Sequence, residues 1–178
     1  MRRAITGFHQ DPEGDWVAEL ACGHNQHVRH NPPFQLRPWV LTPASRAGRL
    51  GTPLPCPPCD AALLPGAVRH VRSSPEWDER TLPPGLLRDH RLAAGTWGRI
   101  AVRQGTLRFT MDGEPARTTE LTPGSPAQAI PPQARHAVQP LGRVRFRIDF
   151  YAVHRGGPVE ARTPPPAPAP LTAPLTAP

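Results

Sequence analysis

No lysine occurs among the 178 residues: all 21 basic side chains are arginine. That absence excludes Schiff-base and amine chemistry and leaves a cationic surface whose charge does not titrate away. Aromatic residues are scarce at 6%, and the apolar share of 38% is below the roughly 45–50% usual for globular chains. Cysteine is limited to three, an odd number that does not suit a disulfide framework and implies reduced thiols free to bind metal. No stretch approaches the roughly 18 apolar residues of a membrane helix. The start, Met1 to Asp11, carries Arg2 and Arg3 but no apolar core, so it does not read as a secretory signal. The expected setting is the cytoplasm, with no membrane partner. Acidic residues number only 14, giving a net charge of +7. Such a field attracts nucleic acid or small oxyanions. Here the arginines are spread through both halves and diluted by Asp11, Glu13, Asp15 and Glu19, so nucleic acid is not the expected partner.

What is abundant is proline, 27 residues in all, crowded at 53–65 and again at 158–178. The composition divides the chain into a Cys/His domain over 1–70, a second domain over 74–156 and a Pro-rich tail over 157–178. The tail has no aromatic residue and almost no charge, and is expected to stay disordered. Ile5 to Phe8 and Trp16 to Leu20 flank a turn at Asp11–Asp15 and predict a hairpin that delivers Cys22. A short helix is expected near Ala44–Gly48. Beyond a boundary zone at 69–84 the pattern is strand-like: Leu86–His90, Gly98–Val102, Thr106–Thr110 and Val144–Tyr151. In the last, Val144, Phe146, Ile148 and Phe150 share one face. The fold class expected is mainly β, with a small zinc-ribbon-like unit first and many short strands after it.

All three cysteines lie near histidine or each other: Cys22-Gly23-His24, then His27 and His30, then Cys56-Pro57-Pro58-Cys59. Thiolate and imidazole donors from two short loops are the ligand set of tetrahedral zinc. The expected set is Cys22, His24, Cys56 and Cys59, with His27 and His30 as alternates to His24. A closed, structural site is the favoured reading; prolines on both sides of the Cys-x-x-Cys pair argue against a thioredoxin-like redox role.

From Ser74 to Val153 the chain resembles the cupin-like domain shared by YeaR-like proteins and the N-terminal part of tellurite-resistance TehB proteins. The likeness is carried by Pro75-Glu76-Trp77, Leu87-Arg88-Asp89-His90, Ala94-Gly95-Thr96-Trp97-Gly98, Gly105-Thr106-Leu107-Arg108-Phe109, Pro131 through His136, and Asp149-Phe150-Tyr151. It implies a jelly roll (a double-stranded β-helix). It also implies a pocket with His90, His136, Asp149 and Arg88, in which a second metal is a further expectation. Gln133 stands where a glycine is common in cupins, and the usual His-x-His is absent. The N-terminal part resembles a small uncharacterised bacterial Cys/His family, which lends no activity.

These resemblances lead to one functional expectation: a stress-response cupin of the tellurite or oxyanion-resistance type that binds a small-molecule or oxyanion ligand, with a structural zinc module and pairing of copies through the cupin domain. Two alternatives accompany it, a metal-dependent cupin oxygenase or isomerase using His90 and His136, and a zinc-module adaptor for nucleic acid or protein. Methyl transfer from S-adenosylmethionine is not expected, because no glycine-rich strand-to-helix signature is present.

Overall fold

The computed structural model describes residues 1–113 and 115–153, so the expected tail lies outside the described residues. The short apolar runs around Ile5 and over Trp16–Ala18 lie in β1 (Arg2–Gln10) and β2 (Trp16–Leu20), and Asp11 closes the turn between them: its carboxylate accepts from the Glu13 and Asp15 amides. The two strands pair antiparallel, and β3 (Asn25–His27) adds to β2. Thr42 caps α1 (Pro43–Ala47), where Pro43 suits the first helical position. Next, β4 (Pro53–Pro55) returns to the free edge of β1, completing a sheet of order β3-β2-β1-β4. One further turn of helix, α2 (Pro57–Asp60), follows Cys56 directly.

The second sheet begins with β5 (Val68–Ser73) and β6 (Trp77–Asp78), which overlap the stretch expected to be a boundary. Leu86–His90, expected as a strand, is instead a 3₁₀ turn at Pro84–Leu86 followed by an isolated bridge from His90 to His136. The reason is local: Pro83 and Pro84 withhold amide donors, and the fixed φ of Pro84 suits the first position of the turn.

The expected strands Gly98–Val102 and Thr106–Thr110 are one continuous strand, β7 (Thr96–Met111). It bends through Gly105, whose φ of +73° is left-handed. A Cβ there would lie 1.9 Å from the Arg143 carbonyl oxygen, so only glycine fits. After β8 (Arg117–Leu121) and β9 (Gln128–Ile130), the long β10 (His136–Val153) pairs with β7 over most of its length. The sheet order is β5-β10-β7-β8, with β6 paired to β10 and β9 to β7, and every pairing is antiparallel.

The mainly β expectation stands, and the jelly roll requires correction. A jelly roll needs eight strands in two facing sheets, whereas the described strands of this region, β5 to β10, form one six-stranded sheet.

Two apolar clusters form. One gathers Ile100, Leu107, Phe109, Val144, Phe146 and Ile148 on the inner face of the second sheet, as the alternation in β10 required. The other collects Ile5, Ala18, Leu20, Val28 and the three cysteines from the first part of the chain, and it includes Trp97 and Ala129 from the second sheet. This shared cluster brings the first sheet and the second into contact.

Candidate metal centre

Cys22 follows the end of β2 in a tight turn whose Gly23 has φ of +86°, and this turn places His24 beside it. Cys56 caps α2 and Cys59 lies within it, so one helical turn brings both sulfurs to the same point. The Cys22, Cys56 and Cys59 sulfurs and a ring nitrogen of His24 all lie within 4.8 Å of one another. His24 Nδ1 is 3.5 Å from each of the three sulfurs, and the Cys22 and Cys56 sulfurs are 3.7 Å apart.

These separations test whether an ion fits. Tetrahedral zinc, with Zn–S about 2.3 Å and Zn–N about 2.0–2.1 Å, requires edges of about 3.7 Å between sulfurs and about 3.5 Å from sulfur to nitrogen. The observed edges match both, and the cluster can hold a metal ion such as zinc.

The surroundings favour ionised thiols only in part. A hydrogen bond shared with Cys59 pulls the Cys22 thiol below its ordinary range despite burial. Burial pushes Cys56 up. The same bond to Cys22, reinforced by burial, pushes Cys59 up to about 12. An arriving cation therefore has to displace protons from at least the latter two.

The alternates to His24 are engaged elsewhere. His27 is exposed and its Nε2 pairs with Asp11 Oδ2 at 2.8 Å, while His30 Nδ1 accepts from the Arg37 amide. Two residues outside the expected ligand set complete the surroundings. Trp97, fully buried, donates its indole N–H to the Cys22 carbonyl at 2.7 Å and meets the His24 ring edge-on. Arg3, also buried, points its Nε at Cys59 Sγ from 3.4 Å.

The expected second site is only partly assembled. His90 Nδ1 and His136 Nε2 are 3.1 Å apart, and His136 Nδ1 donates to the Ala134 carbonyl. That bond fixes the tautomer: His136 Nε2 accepts and His90 donates. Burial holds both imidazoles below their ordinary range. Asp149 belongs to another place, bonded to Ser73 Oγ at 2.7 Å and flanked by Arg99 and Arg147, and Arg88 is exposed. No third ligand joins the two histidines among the described residues, because Asp149 lies on the face of β10 opposite Ile148 and the core. Gln133, in the position where glycine is common, has φ of +57°.

Comparison with known proteins gives two regional matches. Residues 6–63 match a family of unknown function, DUF3565, and residues 72–148 match the TehB-like domain. Two relatives are TehB proteins from the Rd and 10810 strains of Haemophilus influenzae, each named a probable S-adenosyl-L-methionine-dependent methyltransferase. Identity is 33% and 32% over 84 residues, which is 45% of this chain and 29% of either relative. The chain thus spans under a third of the length of those relatives. Among solved structures, Haemophilus influenzae TehB aligns at 27% identity and a TM-score of 0.47, covering 49% of this chain and 32% of that one. An Escherichia coli K12 protein aligns at 25% identity and 0.46, covering 51% and 96%.

These findings correct the functional expectation. The relatives are named as methyltransferases rather than as ligand-binding cupins, so the oxyanion-binding stress cupin is set aside. The metal-dependent cupin enzyme loses its site with the missing third ligand. The nucleic-acid or protein adaptor finds no support in either match. Localisation reduces to one structural statement: among the described residues no helix is long and apolar enough to cross a membrane. What the comparisons give is likeness by region: residues 72–148 match the TehB-like domain, and residues 6–63 before them match the DUF3565 family.

Proposed function

We propose that Cys22, His24, Cys56 and Cys59 bind one structural zinc ion, and that the chain is a zinc-pinned TehB-like module of S-adenosylmethionine-dependent methyl transfer. The observation that carries the zinc assignment is the set of edges, 3.5 Å from His24 Nδ1 to each sulfur and 3.7 Å between two of the sulfurs. Four protein donors close a tetrahedron, so no position is left for water or substrate, and the ion's work is folding. The first sheet has only four strands and helices of at most five residues beside it. A core that small is marginal on burial alone.

The methyl-transfer part comes from the relatives' names. S-adenosylmethionine sites of the open α/β kind use parallel strands, a glycine-rich turn and the N-terminus of a long helix. The described residues have antiparallel pairings throughout and no long helix, so they do not fit that cofactor. The module therefore works beside a cofactor-binding domain supplied from outside residues 1–153.

Native mass spectrometry with metal analysis tests the zinc assignment. One zinc per chain is expected, lost in Cys56→Ser and Cys59→Ser and kept in His27→Ala and His30→Ala. Calorimetry with S-adenosylmethionine tests the division of labour: no heat of binding is expected from the full chain. Micromolar binding would refute it.

A further inference from the structure

A guanidinium shielded from water normally faces a carboxylate, because an uncompensated buried charge is expensive. Arg3 breaks that pattern. It lies in β1 opposite Leu54 of β4, with only 9% of its surface exposed. Among the described residues its side-chain hydrogen-bond partners are two sulfur atoms: Cys59 Sγ at 3.4 Å from Nε, and Met1 Sδ at 3.1 Å from the terminal nitrogen. The neighbouring carboxylate, Asp60, is taken by the ammonium of Met1. A thioether is a weak acceptor and a neutral thiol little better. Only a thiolate at Cys59 would compensate a charge held there.

We propose that Arg3 is the charge-compensating, positioning residue of the metal centre: its Nε–H donates to the Cys59 thiolate and thereby sets the affinity of the cluster for zinc. The proposal rests on the zinc reading above and extends it beyond the four ligands. Three thiolates and a divalent ion sum to one negative charge, and a single guanidinium brings the buried assembly to neutrality. A charge-assisted bond from nitrogen to sulfur also holds the Cys59 side chain in its ligating orientation, as outer donors do around other metal ligands. Because Arg3 and Ile5 alternate onto the same face of β1, the strand that builds the first sheet also aims the donor. Arg3 touches the ligand and not the ion, so its influence passes through the sulfur.

The test measures zinc affinity of the full chain by chelator competition for wild type, Arg3→Met and Arg3→Lys, with circular dichroism confirming that each zinc-saturated variant is folded. Methionine is unbranched and apolar and keeps much of the packing; lysine keeps the charge. Loss of affinity by about 10- to 100-fold is expected for Arg3→Met, the range seen when an outer hydrogen bond to a metal ligand is removed. Arg3→Lys should recover a substantial part of that loss. The cobalt-substituted proteins supply a readout that packing alone does not move: the thiolate-to-cobalt charge-transfer band should shift to lower energy in Arg3→Met, since a hydrogen bond stabilises the sulfur donor electrons. Wild type binding one zinc while Arg3→Met binds it equally well, with an unshifted band, overturns the role of Arg3 and leaves the zinc site standing. Equal losses in the methionine and lysine variants, with no band shift, reduce Arg3 to a packing residue. Wild type that binds no zinc overturns both readings.

Discussion

Replacing Trp97 with phenylalanine tests whether the metal centre is tied to the second sheet. Trp97 begins in β7 and is fully buried, yet its indole N–H reaches across to the carbonyl of Cys22, 75 residues away in sequence, at 2.7 Å. Phenylalanine keeps the apolar ring and removes the donor. The Cys22 carbonyl then loses its partner in a dry environment, at about 1–3 kcal/mol for a buried polar group left unpaired. The smaller ring leaves a gap beside His24, adding about 1–2 kcal/mol on the cavity scale. The sum of about 2–5 kcal/mol is a large share of the roughly 5–15 kcal/mol that holds a domain folded. Urea unfolding of the zinc-loaded protein, followed by circular dichroism, measures the loss, and chelator-driven zinc release measures the coupling. Unfolding should occur at a lower urea midpoint, and zinc should leave faster because the loop bearing Cys22 and His24 is less constrained. A loss of less than about 1 kcal/mol together with an unchanged rate of zinc release would refute the link between the two sheets.

Gly105→Ala should destabilise the second sheet by about 3 kcal/mol or more, since it adds a left-handed penalty to a direct backbone clash with Arg143; a melting temperature equal to wild type would contradict the close approach of β10 at Gly105. Thermal stability should fall as pH drops. His90 and His136 titrate below their ordinary range when folded, so the unfolded chain binds more protons near and below pH 6.5, and the contribution present above that pH is lost through the lower folded pKa. His136→Phe should flatten that slope in melts between pH 7.5 and about pH 5. Asp149→Asn removes the charge that faces Arg99 and Arg147 and should cost about 1–3 kcal/mol by urea titration, whereas the exposed Arg88→Ala should change stability by less than about 0.5 kcal/mol.

The sequence by itself determined the local elements whose cause is local. Alternation placed Val144, Phe146, Ile148 and Phe150 on the core face of β10, because a strand has period two whatever surrounds it. The turn at Asp11–Asp15 needs only its own side chain and backbone, and the spacing of Cys56 and Cys59 is that of one helical turn. Cysteine and histidine type alone pointed to a cluster that can hold a metal ion, since few other roles suit that donor set. Leu86–His90 reads as a strand only if the prolines before it are ignored: its two leucines are adjacent rather than alternating, and Pro83 and Pro84 set the backbone for a 3₁₀ turn. Gly98–Val102 and Thr106–Thr110 stand apart in the sequence because Arg103, Gln104 and Gly105 interrupt the apolar pattern, whereas β7 runs on through them.

Tertiary structure decided everything that depends on residues distant in sequence. Three imidazoles stand within seven positions of one another, and their spacing does not choose among them; His24 is chosen because Asp11 holds His27 and the Arg37 amide holds His30. Asp149 was grouped with His90 and His136 by resemblance, but the β10–β5 and β10–β7 pairings commit it to Ser73, Arg99 and Arg147. Arg3 looks like one more surface arginine among 21 basic residues, and only the return of the chain to β4 and α2 sets a sulfur against it. The physical reason is common to all three: a strand's period says which face a side chain takes, while the charge or donor it meets there is supplied by a part of the chain whose position local pattern does not encode.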